Sequence, residues 1–164
     1  MKASASKVEP FEEFLRRKAE KDGERFDWDS RRSKWLESVD NLYQRIGKWL
    51  KPFEDKGLLA IDFTEIELYE GRLGHYKIRQ LDIFMGKTEI SLIPKGTLVL
   101  GGLGRIDMRG PAGELMFVLF DNWGEWQLAR RSPGFESWHL SKRSFQDALK
   151  IVIDGEATEL YWWD

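Results

Sequence analysis

From Leu58 to Leu140, short apolar runs alternate with glycine and proline, and this alternation is the clearest pattern in the chain. Within the runs, apolar residues recur mostly at every second position, so they share one face of a pleated strand. The residues assigned to this face are Ile61, Phe63, Ile78, Leu81, Ile83, Ile90, Leu92, Leu98, Leu100, Met116, Val118 and Phe120. The pattern predicts a sheet whose apolar face is covered by helices.

Eight strands are predicted from the apolar runs. They lie near Ala60–Tyr69, His75–Met85, Lys87–Ile93, Thr97–Leu100, Arg105–Arg109, Glu114–Asp121, Trp126–Arg130 and Ser137–Leu140. Loops such as Pro94–Gly96 and Gly110–Gly113 are too short for parallel crossovers, which need about a dozen residues, so antiparallel hairpins are expected. Because the apolar phase changes between Ile78 and Leu81, we also predict a β-bulge near Arg79.

The segments before and after the predicted sheet have apolar residues at helical spacing. The first helix begins at Pro10, since proline suits the first turn, and ends near Gly23. Its shared face consists of Phe11, Phe14, Leu15 and Lys18. The last helix runs from Lys142 to Ile153, with Ser141 as its N-cap. Both ends of the chain therefore supply helices next to the sheet.

The longest helical pattern runs from about Lys34 to Phe53, with Asp29, Ser30 or Ser33 as candidate N-caps. Its apolar stripe consists of Trp35, Val39, Leu42, Ile46, Trp49, Leu50 and Phe53. Packing on the sheet is the expected use of this stripe. Together the elements predict an α+β fold with a helical N-terminal arm, an antiparallel sheet of about seven or eight strands, and one C-terminal helix packed on the sheet.

A chain of 164 residues with 41% hydrophobic content is long enough for one core and too short for two ordinary domains. We predict a flexible tail and helical arm over residues 1–32, followed by a single α+β domain over residues 33–164. Eight tryptophans and ten phenylalanines are more than such a core requires, which favours a partner surface. The alternative is a core rich in aromatic residues.

Composition narrows the possible functions. The chain has no cysteine, which excludes disulfides, thiolate nucleophiles and thiolate metal ligands. No stretch approaches the roughly 20 apolar residues of a membrane helix, so we expect a cytoplasmic protein without a membrane partner. The 26 basic and 28 acidic residues nearly balance, so no overall charge attracts nucleic acid. No cofactor motif is complete, and we predict no cofactor.

An enzyme is one alternative, because carboxylates occur on neighbouring predicted strands. Asp107 and Glu114 flank the Gly110–Gly113 turn, and His75 lies on an earlier strand. If these three side chains converged, they could serve a metal-dependent hydrolase or an enzyme acting on nucleic acid. Position 116, where a nuclease of the restriction type has lysine, is Met116. Paired ionic contacts across the hairpin are the simpler explanation of the carboxylates.

A single-stranded nucleic-acid binder is a further alternative. The chain places basic residues near tryptophans late in the sequence, namely Arg130, Arg131, Lys142 and Arg143 beside Trp126 and Trp138. Arginine can hold phosphates while tryptophan stacks on bases. Acidic residues are interleaved with this group, so a solvated surface of mixed charge is the competing interpretation.

The preferred hypothesis is a non-catalytic protein-binding or assembly module whose partner is another protein or a second copy of the chain. The first helix has its own apolar face ahead of the main domain, and the chain ends on an aromatic run. The predicted binding residues are Phe11, Phe14, Trp28, Trp162 and Trp163. Large aromatic side chains are enriched at protein interfaces, which is why they carry the hypothesis.

Overall fold

The computed structural model describes residues 9–25, 27–97, 102–131 and 134–155. These residues form three helices and seven strands. The helices are α1 (Pro10–Arg25), α2 (Trp28–Asp55) and α3 (Lys142–Asp154). The strands are β1 (Ala60–Glu70), β2 (Gly74–Met85), β3 (Thr88–Gly96), β4 (Gly104–Gly110), β5 (Gly113–Leu119), β6 (Trp126–Arg130) and β7 (Glu136–His139). Trp162 and Trp163 lie outside the described residues.

The seven strands form one antiparallel sheet in the order β1 to β7, each strand paired with the next along the chain. The α+β prediction is therefore confirmed, with N-terminal helices, a sheet and a C-terminal helix that packs on it. The predicted loop at Pro94–Gly96 is wrong, because β3 continues through it with a register shift between Pro94 and Gly96. Such a bulge allows a strand to include a proline, which cannot donate to the ladder.

The predicted bulge near Arg79 is also wrong. The pairing of β1 with β2 runs without a shift from Ala60 and Phe84 to Glu70 and Gly74. The change of apolar phase coincides with the point where β2 stops pairing with β3. β2 pairs with β3 only between Leu81 and Met85. Leu81 and Ile83 are buried within this segment, and Tyr76 and Ile78 are buried before it.

Helix α2 begins at Trp28, earlier than predicted, because Asp27 is its N-cap. One Asp27 carboxylate oxygen accepts hydrogen bonds from the backbone N–H groups of Asp29 and Ser30, both at 3.1 Å. A short polar side chain in this position satisfies amides that have no partner within the helix. The predicted caps therefore lie inside the first turns, and the predicted boundary between residues 32 and 33 falls within α2.

Helices α2 and α3 enclose the core against one face of the sheet. Trp35 of α2 packs on Trp126 with ring centroids 6.1 Å apart, and Trp49 of α2 packs on Phe145 of α3 at 5.6 Å. Phe117 of β5 contacts both groups, at 6.4 Å from Trp126 and 6.2 Å from Phe145. These aromatic contacts join the two helices and the sheet into one core.

Strand β5 differs from the sequence prediction because it is apolar on both faces. The residues of β5 in the main core are Leu115, Phe117 and Leu119, whereas Met116 and Val118 form a second small cluster with Ala129 on the opposite face. All six tryptophans in the described ranges pack in or against the main core. An aromatic-rich core therefore accounts for most of the tryptophan content, which removes one reason for expecting a partner.

Candidate functional site

Among the described residues, helix α1 carries the largest run of exposed apolar side chains. Phe11, Phe14 and Leu15 are 61%, 53% and 48% exposed. The two phenylalanine rings are stacked, with centroids 6.3 Å apart and planes 16° from parallel. Water-exposed apolar side chains grouped on one surface are typical of binding sites. This helix face is the candidate functional site.

Local features of the sequence favour helix formation in α1. Glu12 and Glu13 lie in the first turn, where acidic side chains interact favourably with the helix dipole. Glu12 also forms an ion pair with Arg16 one turn later, at 3.0 Å. All side chains described in α1, at positions 10–19, are exposed, and none of them belongs to the hydrophobic core.

Trp28 lies at the first position of α2 and not on α1. It is half-buried against the core, and the guanidinium of Arg72 lies 5.4 Å from its ring centroid. The structure therefore gives Trp28 intramolecular contacts, while the rings of Phe11 and Phe14 face outward on a different helix. Trp162 and Trp163 lie outside the described residues. Of the three predicted binding residues that the structure describes, Phe11 and Phe14 form an exposed pair.

The structure brings Asp107 and Glu114 to the same face of the sheet, with Arg109 between them. Arg109 Nε lies 3.3 Å from Glu114, and its Nη2 lies 3.7 Å from Asp107. Arg105 Nε lies 2.9 Å from Asp107. Asp107 is only 2% exposed. Asp107 is thus paired with two arginines of its own strand, and Glu114 is paired with Arg109 across the β4–β5 hairpin. The two carboxylates are not arranged around an open cation position.

His75 lies apart from these carboxylates. It is exposed on the β1–β2 hairpin, where its Nδ1 is 3.4 Å from Glu67 and its ring centroid is 4.5 Å from that of Tyr69. β3 separates β2 from β4, so the three predicted catalytic residues do not converge. Within the described part of the chain, no group of three or more histidine and acidic side chains could hold a metal ion.

Burial raises the pKa of the Asp107 carboxyl above its usual value, opposed by the positive charge of Arg105. The folded protein therefore keeps this proton to a higher pH than the unfolded chain. The contribution of the Asp107 carboxyl to the free energy of unfolding is fully present at low pH, and it falls as pH rises through the folded-state pKa. In Asp107→Asn this dependence should be absent.

We expect the free energy of unfolding of Asp107→Asn, relative to wild type, to rise as pH increases from about 4, the usual pKa of aspartate, towards neutrality. Urea unfolding over this range measures the difference. Glu125→Gln is the matched control, because it removes an exposed carboxylate that lies outside β4 and β5. Parallel curves for Asp107→Asn and wild type would show that Asp107 does not titrate as described.

The basic residues of the nucleic-acid alternative are only partly available. Arg130 forms an ion pair with Glu136 at 2.9 Å and lies 5.2 Å from the ring centroid of Trp138. Trp126 is 2% exposed and donates its indole N–H to the Ser38 carbonyl, so its ring offers no open stacking face. The remaining basic side chains, all exposed, are Arg131, Lys142 and Arg143.

A cavity of ≈ 320 Å³ adjoins Arg130 and Arg131 at the C-terminal end of α3. Its walls include Glu114, Met116 and Ile151, so the surface is of mixed charge and partly apolar. The volume is at the lower end of the range for small-molecule sites, about 300–1,000 Å³. A single-stranded nucleic acid needs a continuous basic groove with stacking surfaces, and this cavity has neither feature.

A buried polar cluster that no sequence pattern predicts lies where the β1–β2 hairpin meets the end of β3. Glu70 accepts hydrogen bonds from the Tyr76 hydroxyl and from the Thr97 backbone N–H (2.8 Å) and hydroxyl (3.0 Å). Burial, together with Glu70, raises the pKa of the Tyr76 hydroxyl well above its ordinary value. Nothing in the local sequence connects Glu70 with Thr97, because only the tertiary fold brings them together.

Comparison with known protein families, with curated proteins and with solved structures gives no match for this chain. In the described residues, no helix has both the length and the apolar character that crossing a membrane requires. The function is therefore inferred from the side chains and their geometry.

Proposed function

We propose that the protein is a non-catalytic assembly module that self-associates through α1. The exposed face formed by Phe11, Phe14 and Leu15 is the observation that supports this function. Removing a phenylalanine or leucine side chain fully from water contributes about 1.5–3 kcal/mol. Two copies of the same face would each provide three such side chains. We also propose a cytoplasmic location, which is compatible with a chain that has no cysteine.

The charges next to this face favour a second copy as the partner. Helical spacing places Glu12 and Arg16 on the same side of the face, next to Leu15. In an antiparallel pair of α1 helices centred near Phe14 and Leu15, the two-fold axis brings Glu12 of each copy near Arg16 of the other. The surface is therefore complementary to itself in charge as well as in apolar character.

The contact between two single helices is small, so we expect a dimer that dissociates on dilution. Sedimentation velocity over a series of protein concentrations measures this equilibrium. Phe11→Ser together with Phe14→Ser should weaken association at least about tenfold, since burial of both rings is lost. The control is Leu58→Ser, which removes a side chain that is 61% exposed but lies outside α1.

Charge exchange tests the antiparallel arrangement directly. Glu12→Arg and Arg16→Glu should each weaken association, because each variant places like charges opposite each other twice in the dimer. An equimolar mixture of the two variants should associate more strongly than either alone, because both contacts become oppositely charged. The intrahelical repulsion is the same in the mixture as in the separate variants.

Two results would contradict the proposal. A wild-type chain that remains monomeric at millimolar concentration would exclude self-association and direct attention to a different protein as the partner. A dimer that is unaffected by the Phe11 and Phe14 substitutions, in a chain that is still folded by circular dichroism, would place the interface elsewhere.

A further inference from the structure

Strand β1 forms one edge of the sheet in the described residues. It has 11 residues, and among the described residues it pairs only with β2. Alternate backbone N–H and C=O groups of such a strand point away from its neighbour, so a second strand can pair with them. Most of the β1 side chains are exposed, among them Phe63 and Tyr69.

β1 also lacks most of the features that protect natural sheet edges. Its sequence contains no proline, glycine or lysine, and its register with β2 has no bulge. Proteins commonly use such features to prevent edge strands from pairing with other chains. The features that remain on β1 are its acidic side chains.

Those side chains select the kind of strand that can pair. Asp62, Glu65 and Glu67 are exposed, and β1 contains no basic residue. Two β1 strands would place acidic groups against each other, so pairing between copies is disfavoured. On the β2 side, Glu65 already lies 3.5 Å from Lys77, and Glu67 lies 3.4 Å from His75. A basic side chain on the open side would make an equivalent contact.

We propose that the β1 edge binds an extended, basic segment of another protein as an eighth strand of the sheet. Alternation places Phe63, Glu65, Glu67 and Tyr69 on one face of β1. The matching segment presents four side chains at every second position on one face. They are an apolar residue, two lysines or arginines, and a second apolar residue. This surface is separate from α1, so its occupation does not depend on self-association.

The probe is a fluorescein-labelled peptide of sequence Val-Thr-Lys-Thr-Lys-Thr-Val, which presents this pattern in either strand direction. We expect saturable binding by fluorescence anisotropy and slower hydrogen exchange at the backbone amides of β1. Two control peptides separate the contribution of charge from that of backbone pairing. One has glutamate in place of both lysines, and the other is N-methylated at alternate amides, which blocks strand pairing. Neither control should bind.

Glu65→Gln with Glu67→Gln should weaken binding of the lysine peptide about tenfold, because both ionic contacts are lost. The control variant, Glu37→Gln with Asp121→Asn, removes the same amount of charge from exposed positions outside β1. Circular dichroism verifies that both variants are folded.

Equal affinity for the N-methylated peptide, no protection of β1 amides, or no binding of the lysine peptide at millimolar concentration would each overturn the proposal. These outcomes differ from failure of the α1 dimer, which is read from sedimentation and from substitutions at Phe11 and Phe14.

Discussion

Trp35→Ala is expected to lower the free energy of unfolding by about 3–5 kcal/mol, the range observed when a fully buried large aromatic side chain is truncated. Trp35 has no exposed surface, and its ring packs on Trp126. It also lies directly against the backbone of Gly104. Alanine would leave a cavity bounded by a helix and by the sheet, neither of which can move inward without disturbing other core contacts.

Urea unfolding monitored by far-UV circular dichroism measures this loss. Trp123→Ala is the matched control, because Trp123 is only half-buried at the edge of the same core. Trp123→Ala should lower the free energy of unfolding by clearly less, about 1–2 kcal/mol. A loss for Trp35→Ala no greater than that of the control would mean that the contact between α2 and the sheet is not the main support of the core.

Gly104→Ala is expected to cost about 2–3 kcal/mol through overpacking. A Cβ at this position would lie 2.3 Å from Trp35 Cζ3 and 2.6 Å from Cε3, closer than nonbonded carbon atoms can approach. The indole cannot move away easily, because Trp126 lies on its ring. Glycine is therefore required at Gly104 for close approach between the sheet and α2.

Gly113→Ala is the control for this prediction, because Gly113 is also the first residue of a strand but has no atom within 4 Å of an added Cβ. It should be close to neutral, within about 0.5 kcal/mol. Combining Gly104→Ala with Trp35→Phe should recover part of the loss, since the smaller ring leaves room for the methyl group. If the two substitutions are simply additive, the contact between these residues does not limit packing.

Elements with complete local signals could be predicted closely from the sequence. Helix α3 begins and ends almost as expected. Ser141 and Ser144 form a reciprocal capping box, and Gly155 ends the helix in the left-handed conformation with φ 75°. Capping and helical spacing involve residues only a few positions apart, so they can be read without the fold. The exposed face of α1 has the same local origin.

Where a strand is apolar at consecutive positions, its sequence does not indicate which face lies in the main core. In β5, both alternating sets are apolar, and the prediction placed Met116 and Val118 in the main core, whereas Phe117 occupies it. Periodicity cannot distinguish the two faces of a strand that is buried on both. In β2, the change of phase that predicted a bulge coincides with the point where pairing with β3 ends.

The sequence by itself determined the α+β class, the antiparallel pairing of neighbouring strands, the α3 boundaries and the apolar face of α1. These follow from short-range periodicity, loop length and capping, which act over a few residues. Only the tertiary structure decided which carboxylates are buried, why Gly104 must be glycine, and that β1 is an edge strand of the sheet in the described residues. Burial and close contact depend on residues distant in sequence, and those contacts exist only once the chain is folded.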